Sequence, residues 1–385
     1  MLLVTNFKNN QLHQTLDTLL SQRLNSRLDE ELVRAQDIHH QDYVYYGILD
    51  FVTKTDGNTT KSLLNDDYEK WKTNLIDRVT NSDDIPSFIH DFTKNILQSS
   101  TEKKAKENEK KAKKQLLKDD EDYKLKKRCL ELMKIQRKRL KEDLVGENEY
   151  SFIISYFSKI LTTVFDTQKN VWQYKWGELK LAASKEEENL AKNDDQNRVA
   201  GSSIDCVVAL KELKLNILLV EVSGPMNKED YIHFLKDRLK IAKNLKYMYK
   251  SITRQKLVLS DAPGLELYGL QVYRNYIYVY ALQMPILNFF CFVEVLKFKI
   301  PTNPATSLKD TPRFFKNLFK VLDLVKFSQL KWKSYMTRHD DFDSDDSLLD
   351  ENNSLSPPYI LPQKITKKRK NVASTNISDK RQKQQ

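Results

Sequence analysis

Two acidic residues lie inside neighbouring apolar stretches of the chain, Asp205 within 204–210 and Glu221 within 215–222. The charged segment 211–214 separates the stretches and predicts a hairpin of two strands that turns near position 213. Both acids are equally distant from that position, so the hairpin would place them opposite each other. Two facing carboxylates repel and destabilise a strand pair unless a cation lies between them. The arrangement therefore predicts a divalent cation with oxygen ligands, Mg²⁺ or else Mn²⁺.

The apolar residues around Glu221 predict that its strand is buried. Side chains alternate between the two faces of a strand, so Ile217, Glu221 and Ser223 share one face. The run 217–220 is apolar on both faces, which is typical of a central strand, where an unpaired charge is costly. A second interpretation stays open, in which Glu221 lies at the strand end and pairs with a lysine, and Asp205 caps the entry of its own strand.

Composition excludes several classes of protein. The 385 residues are 40% hydrophobic and 30% charged, with a mean hydropathy of −0.62. No run approaches the roughly 18 apolar residues of a membrane helix, and the apolar start of the chain is too short for a secretory signal. The three cysteines lack metal-site spacing and fit a reduced compartment. A net charge of +11 favours an anionic partner such as nucleic acid, and neither secretion nor a membrane partner is expected.

The distribution of charge divides the chain into four predicted segments. Residues 1–100 show helical spacing of apolar residues and predict a helical N-terminal region. Residues 101–145 predict a basic helix or linker, because 17 basic and 10 acidic residues lie between 101 and 143. Such a segment either follows nucleic-acid phosphates or serves as a solvated spacer. A core domain is predicted over 146–338 and a disordered tail over 339–385.

Within the core segment, helices and strands alternate. The predicted helices are 149–165, 227–249 and 311–335, and the predicted strands are 172–181, 204–210, 215–222, 267–273, 276–284 and 289–300. The polar stretch 182–201 predicts a loop. This order predicts an α/β (α+β) fold with a mixed sheet between helices.

The positions of the two acids in these elements resemble a known superfamily. An aspartate in the second core strand (Asp205), with Glu221-Val222-Ser223 in the third, is similar to the PD-(D/E)XK, or restriction-endonuclease-like, nucleases, whose core is αβββαβ. The similarity covers about residues 149–300. It implies that Asp205 and Glu221 ligate Mg²⁺ and that a lysine assists the attacking water. Ser223 stands at the usual lysine position of the E-x-K motif, so the chain resembles divergent members.

Some members of the superfamily carry the lysine on the following helix, and this resemblance points to Lys240. The apolar stripe of that helix, counted from Ile232, places Lys236 closer to its border, from which a long side chain can reach back over the sheet. Lys236 is therefore the rival. Glu178 could add a third carboxylate or hold a metal-bound water, although a solvated strand end explains it equally. The stretch Glu221-Val222-Ser223-Gly224, with Asp237 and Lys240 downstream and Gly177-Glu178 upstream, is similar to a pattern in a group of fungal proteins.

The last segment of the chain carries blocks of opposite charge. An acidic block spans 340–351, and the basic cluster Lys367-Lys368-Arg369-Lys370 follows several prolines. A basic cluster in an exposed tail is typical of a nuclear-import signal, which predicts an import receptor as partner and a nuclear location. A tail that only increases solubility is the alternative.

Together these observations predict a nuclear, Mg²⁺-dependent nuclease with a restriction-endonuclease-like core, or a degenerate relative of one. The alternative belongs to another class: a non-catalytic nuclear DNA-binding or scaffolding protein that uses the retained fold and the basic segment. Ser223 favours the alternative, and the facing acids favour the enzyme. The sequence leaves the choice between DNA and RNA open.

Overall fold

A computed structural model of the protein describes most of the chain up to residue 338. The described residues are 43, 46–54, 58–64, 66–76, 85–116, 122–142, 146–165, 171–190, 192, 196–226, 228–254, 264–286 and 289–338. The predicted tail and its basic cluster, Lys367-Lys368-Arg369-Lys370, lie outside the described residues, as does nearly all of 1–45.

The described residues form a sheet of seven strands in the order β1-β7-β6-β5-β4-β3-β2. The strands are β1 (Ile48–Asp50), β2 (Trp172–Lys180), β3 (Ser203–Leu210), β4 (Leu215–Val222), β5 (Glu266–Tyr273), β6 (Tyr276–Ile286) and β7 (Phe289–Lys299). Two pairs, β1 with β7 and β4 with β5, are parallel, and the other pairs are antiparallel. This open mixed sheet confirms the predicted α/β class.

Helices surround the sheet. They are α1 (Thr59–Leu64), α2 (Asp67–Ile76), α3 (Ser87–Leu97), α4 (Glu102–Lys114), α5 (Tyr123–Arg139), α6 (Glu149–Phe152), α7 (Ser158–Phe165), α8 (Ala182–Leu190), α9 (Tyr231–Arg254) and α10 (Ser307–Arg338), and a π-helical segment (Ile153–Phe157) joins α6 to α7. Among the described residues no helix is both long and apolar enough to cross a membrane.

The sheet is covered on both faces at its centre, because every residue of β5 is buried. Helix α9 connects the parallel strands β4 and β5 and packs on both. Gly269 of β5 permits the close approach, since a Cβ there would lie 2.3 Å from Ile241 Cγ2. On α10, Trp332 Nε1 and Ser328 Oγ both donate hydrogen bonds to the carbonyl oxygen of Glu266. These contacts hold α9 and α10 against β5, the strand next to the acid-bearing strand β4.

The charged segment is only in part the solvated arm or spacer that its composition predicts. It forms two helices, and in the second, α5, the side chains of Cys129, Leu132 and Met133 are fully buried. Gln136 Nε2 donates to the carbonyl oxygen of Pro301 at 2.7 Å, and Tyr156 OH donates to Gln136 Oε1 at 2.6 Å. The physical reason is the apolar spacing at 129, 132 and 133, which puts one narrow stripe of an otherwise charged helix against the core.

Two further elements were not predicted. Strand β1 lies in the region expected to be helical, and its three residues are buried and pair with β7. Three residues are too few to show a period, so this strand depends on its tertiary neighbour. Helix α8 occupies residues 182–190 of the predicted loop 182–201. Its Glu187 accepts from Lys250 on α9 at 2.9 Å, and this contact ties the segment to the core.

Helix α9 is rotated relative to the predicted apolar stripe. Ile232, expected on the buried side, is 66% exposed, whereas Phe234 and Ile241 are buried. The helix begins at Tyr231 rather than near 227, so Ile232 belongs to a first turn that extends beyond the packed part. As a result Lys236 is exposed, and Lys240 faces the sheet.

Candidate active site

The hairpin places the two acids as their spacing predicts. Cys206 pairs with Val220 and Val207 with Leu219, so the same register continued by one residue sets Asp205 against Glu221. The backbone N–H of Val222 donates to Asp205 Oδ2 at 2.7 Å. The turn includes residues 211–214, and a bulge between Val208 and Ala209 adjusts the strands next to it.

A lysine from α9 completes a charged group with Glu221. Lys240 Nζ lies 2.7 Å from Glu221 Oε2 and 3.6 Å from Asp237 Oδ1. His233 Nε2 lies 3.0 Å from Asp237 Oδ2, one helical turn earlier. Residues 233, 237 and 240 share one helix face, because positions three and four apart lie side by side on a helix. They form a chain of charged contacts that ends at the carboxylate of Glu221.

The environment of Glu221 is the most unusual in this group. Its side chain is 2% exposed, and Oε1 is buried without a hydrogen-bond donor. Burial raises the pKa of Glu221 well above its ordinary value, although the charge of Lys240 works in the opposite direction. Burial also works to lower the pKa of Lys240, but Glu221, Asp237 and Asp205 together raise it. One carboxylate oxygen is thus bound to a lysine, and the other is buried without a hydrogen-bond donor.

Asp205 lies at the boundary between this group and solvent. It is partly buried, and burial raises its pKa, while the hydrogen bond from Val222 N–H lowers it. Its carboxylate also lines a pocket of about 370 Å³. Asp205 therefore links the buried Glu221–Lys240 pair to an accessible cavity.

Sequence reasoning missed Glu149, which is the first residue of α6. Asn148 caps that helix by accepting from Ser151 N–H, and Glu149 Oε2 accepts from the N–H of Gly224 at 2.8 Å. Burial raises the pKa of Glu149, and the negative charge of Asp205 contributes in the same direction. The N-cap asparagine marks the helix start, but only the fold brings Glu149 to the end of β4.

The structure separates the other predicted site residues from the Glu221–Lys240 pair. Glu178 is exposed on β2 and lines the 370 Å³ pocket together with Asp205. Ser223 is buried, and its Oγ accepts from Gln271 Nε2, which also donates to the carbonyl oxygen of Phe234. Lys236 is exposed. Asp205, Glu221 and Lys240 are thus the predicted residues that the fold brings together.

The donor set around Glu221 fits Mg²⁺ with few protein ligands. Within the described part of the chain, no three His, Cys, Asp or Glu side chains converge as a ready metal-ligand group. Mg²⁺ is commonly held by one or two carboxylates, with waters and substrate phosphates as its remaining ligands. Asp205 and Glu221, whose Oε1 has no hydrogen-bond donor, would be the two carboxylates of such a site. Acidic side chains outnumber Lys240 here, which favours a cation.

The fold and this group of residues define an α/β protein whose mixed sheet presents two facing acids to a lysine from the crossover helix. Comparison of the chain with protein-family models, with curated proteins and with solved structures gave no significant match.

Proposed function

We propose that the protein is a Mg²⁺-dependent nuclease that hydrolyses nucleic-acid phosphodiesters. The observation that carries this proposal is the buried carboxylate of Glu221, with one oxygen on Lys240 and the other without a donor, next to Asp205. The parallel pair β4–β5 joined by α9 supports the resemblance to the restriction-endonuclease-like core.

In this proposal each residue has a separate role. Asp205 and Glu221 hold the metal, which when bound polarises a phosphoryl oxygen and lowers the pKa of its water. Lys240 opposes the effect of burial on the pKa of Glu221 and brings positive charge to the phosphate, where negative charge develops during the reaction. Because Lys240 comes from α9, the position occupied by Ser223 needs no lysine. Ser223 instead binds Gln271 and holds β4 against β5.

The basic helices support nucleic acid as the substrate. All seven lysines of α4 are exposed, and two of its three acids, Glu102 and Glu109, form ion pairs with Arg137 of α5. The helix therefore carries a net positive charge on its exposed surface, which is available to phosphates. The basic cluster of the tail supports a nuclear location through an import receptor.

Our first prediction tests the metal and the reaction together. The full chain should cleave single- or double-stranded DNA or RNA with Mg²⁺ or Mn²⁺, and the metal should raise the melting temperature by mass action. Asp205→Asn should abolish both effects, and Lys240→Ala should lower the cleavage rate by about 10²-fold or more, the scale of one lost transition-state donor. Glu229→Gln, at a 67% exposed acid outside the site, is the matched control.

The outcomes separate two functions. Wild-type protein that shows neither cleavage nor a metal-dependent melting shift contradicts the nuclease. The second candidate is then a non-catalytic nuclear protein that binds or scaffolds nucleic acid. Ser223 at the lysine position favours this second candidate. A protein of this kind would still bind nucleic acid through α4 when cleavage is absent.

A further inference from the structure

We infer that the pocket beside Asp205 binds an unpaired nucleobase, so that the substrate carries an unstacked nucleotide next to the cleaved phosphodiester. The inference rests on the proposed function and names the substrate class of the same site. It draws on the position, the lining and the backbone geometry of the pocket.

The pocket opens directly next to the proposed reacting centre. Asp205 lines it, and the same carboxylate accepts the N–H of Val222, the residue after Glu221. Its volume of about 370 Å³ lies in the range of sites for small organic ligands, roughly 300–1,000 Å³. A nucleotide whose phosphate lies at Asp205 can therefore place its own base in the pocket.

One exposed aromatic ring at the pocket is not explained by packing. Tyr150 lines the pocket and is 66% exposed, while Ile153, one turn further along, is buried and forms an apolar part of the wall. Aromatic side chains at such positions stack on bases of single-stranded nucleic acid, and every base has a face that can stack. A paired base inside a duplex is not available for this contact.

The charges of the lining select the base rather than the phosphate. Glu149, Glu178 and Asp205 all line the pocket, and ionised carboxylates only accept hydrogen bonds. Glu149 and Glu178 repel a phosphate from the interior of the pocket, but they accept from the amino groups of adenine, cytosine and guanine. Thymine and uracil lack such an amino group and offer a carboxylate only the single N3–H donor. The pocket should therefore prefer bases that carry an amino group.

The backbone of β2 is shaped to bring Glu178 to the pocket. The register of β2 against β3 shifts between Trp176 and Leu179, and Gly177 has a φ of +106°. Bulges of this kind redirect side chains and occur next to active sites. No atom lies within 4 Å of a Cβ built at Gly177, so the glycine is required by its backbone conformation and not by lack of space.

The second prediction uses fluorescence anisotropy without added divalent metal, so that binding is measured without cleavage. The probes are dA12, dC12, dT12 and a 12-base-pair duplex. Wild type should bind dA12 and dC12 more tightly than dT12. Tyr150→Ala should weaken binding of the single strands by about 5-fold or more, whereas Tyr150→Phe should retain it. Glu178→Gln should reduce the preference for dC12 over dT12.

Matched controls separate the pocket from general effects. Phe327→Ala removes another exposed ring, 54% exposed on α10, and should leave all four affinities unchanged. Because Tyr150 is largely exposed, the melting temperature of Tyr150→Ala should equal that of wild type. Duplex affinity should not change in any variant, since α4 carries the contacts to phosphates.

Each possible result supports or overturns the inference. Unchanged single-strand affinity in Tyr150→Ala, or an unchanged preference for dC12 over dT12 in Glu178→Gln, overturns the nucleobase pocket. If such a protein still cleaves duplexes with Mg²⁺, the proposed nuclease stands without it. Base-selective binding through Tyr150 without any cleavage supports the pocket and contradicts the nuclease. Wild type that binds none of the probes overturns the pocket, and it overturns the nuclease as well when cleavage with Mg²⁺ is also absent.

Discussion

Lys240 is the residue on which the candidate site depends most directly. It is the cation nearest to Glu221, and it also lies close to Asp237. A buried carboxylate that loses its only charged partner is costly, because neither water nor another donor replaces the lost interaction. The pair therefore couples the stability of the apo protein to the geometry of the site.

The third prediction measures this coupling. In metal-free buffer, Lys240→Met should reduce the free energy of unfolding by about 3 kcal/mol, because Glu221 is left buried and unpaired. In the double variant with Glu221→Gln the loss should be smaller than the sum of the single losses by about 1 kcal/mol or more. Urea denaturation of all four proteins measures the difference.

The exposed pair Arg274–Glu229 is the control for that cycle, since its side chains are 50% and 67% exposed. Its coupling should stay within about 0.5 kcal/mol of zero, as for most surface ion pairs. Strictly additive losses at Lys240 and Glu221 would contradict the buried pair.

Among the elements, α4 and α9 contribute in different ways. Helix α9 places Lys240 and Asp237 at the end of β4 because its packed stripe begins at Phe234 and continues through Ile241. Helix α4 buries only Ala105 and otherwise exposes charge. Helix α9 thus positions residues of the candidate site, and α4 carries the exposed positive charge that the proposed contact with nucleic acid requires.

The fourth prediction concerns α4. Replacement of four of its lysines by glutamine should weaken duplex binding and lower the slope of log K against log salt by about 2 to 3, because each phosphate contact contributes about 0.9. The variant combines Lys110→Gln, Lys111→Gln, Lys113→Gln and Lys114→Gln.

A control variant removes the same charge elsewhere, at four exposed lysines: Lys61, Lys185, Lys228 and Lys309. Equal slopes for the two variants would show that α4 contributes only to the net charge. Titrations between 50 and 200 mM salt cover a range over which the affinity of such contacts falls by about 10³-fold or more.

At the scale of the whole molecule, the described residues all belong to one compact unit. Strand β1 extends the sheet beyond β7, and α5 buries Cys129, Leu132 and Met133. The segments predicted as 1–100 and 101–145 thus contribute residues to the core around the predicted domain 146–338. Their helices and strands share one hydrophobic core with it.

The fifth prediction follows from this shared core. A fragment of residues 146–338 should not unfold cooperatively, because it lacks the buried side chains of α5. Loss of two or three large buried side chains costs about 6 kcal/mol or more, comparable with the whole stability of a domain at about 5–15 kcal/mol. A fragment of residues 43–338 is the control and should unfold in one transition by circular dichroism. A cooperative transition in the shorter fragment would contradict the role of α5.

The sequence by itself determined the α/β class, the hairpin and the register of Asp205 against Glu221. These depend on alternation and on equal spacing from a turn, which are local properties. The boundaries of β5, β6 and β7 were also close, because their apolar runs are long.

Only the tertiary structure decided which side chains join the two acids. A helix can rotate about its axis at little local cost, so packing of Phe234 and Ile241 on the sheet, and not the wheel alone, selected Lys240 over Lys236. Glu149 is more than fifty residues from Asp205, and its place depends on a hydrogen bond to Gly224 across the fold. Such contacts arise from the packing of distant segments, which the period of one segment does not encode.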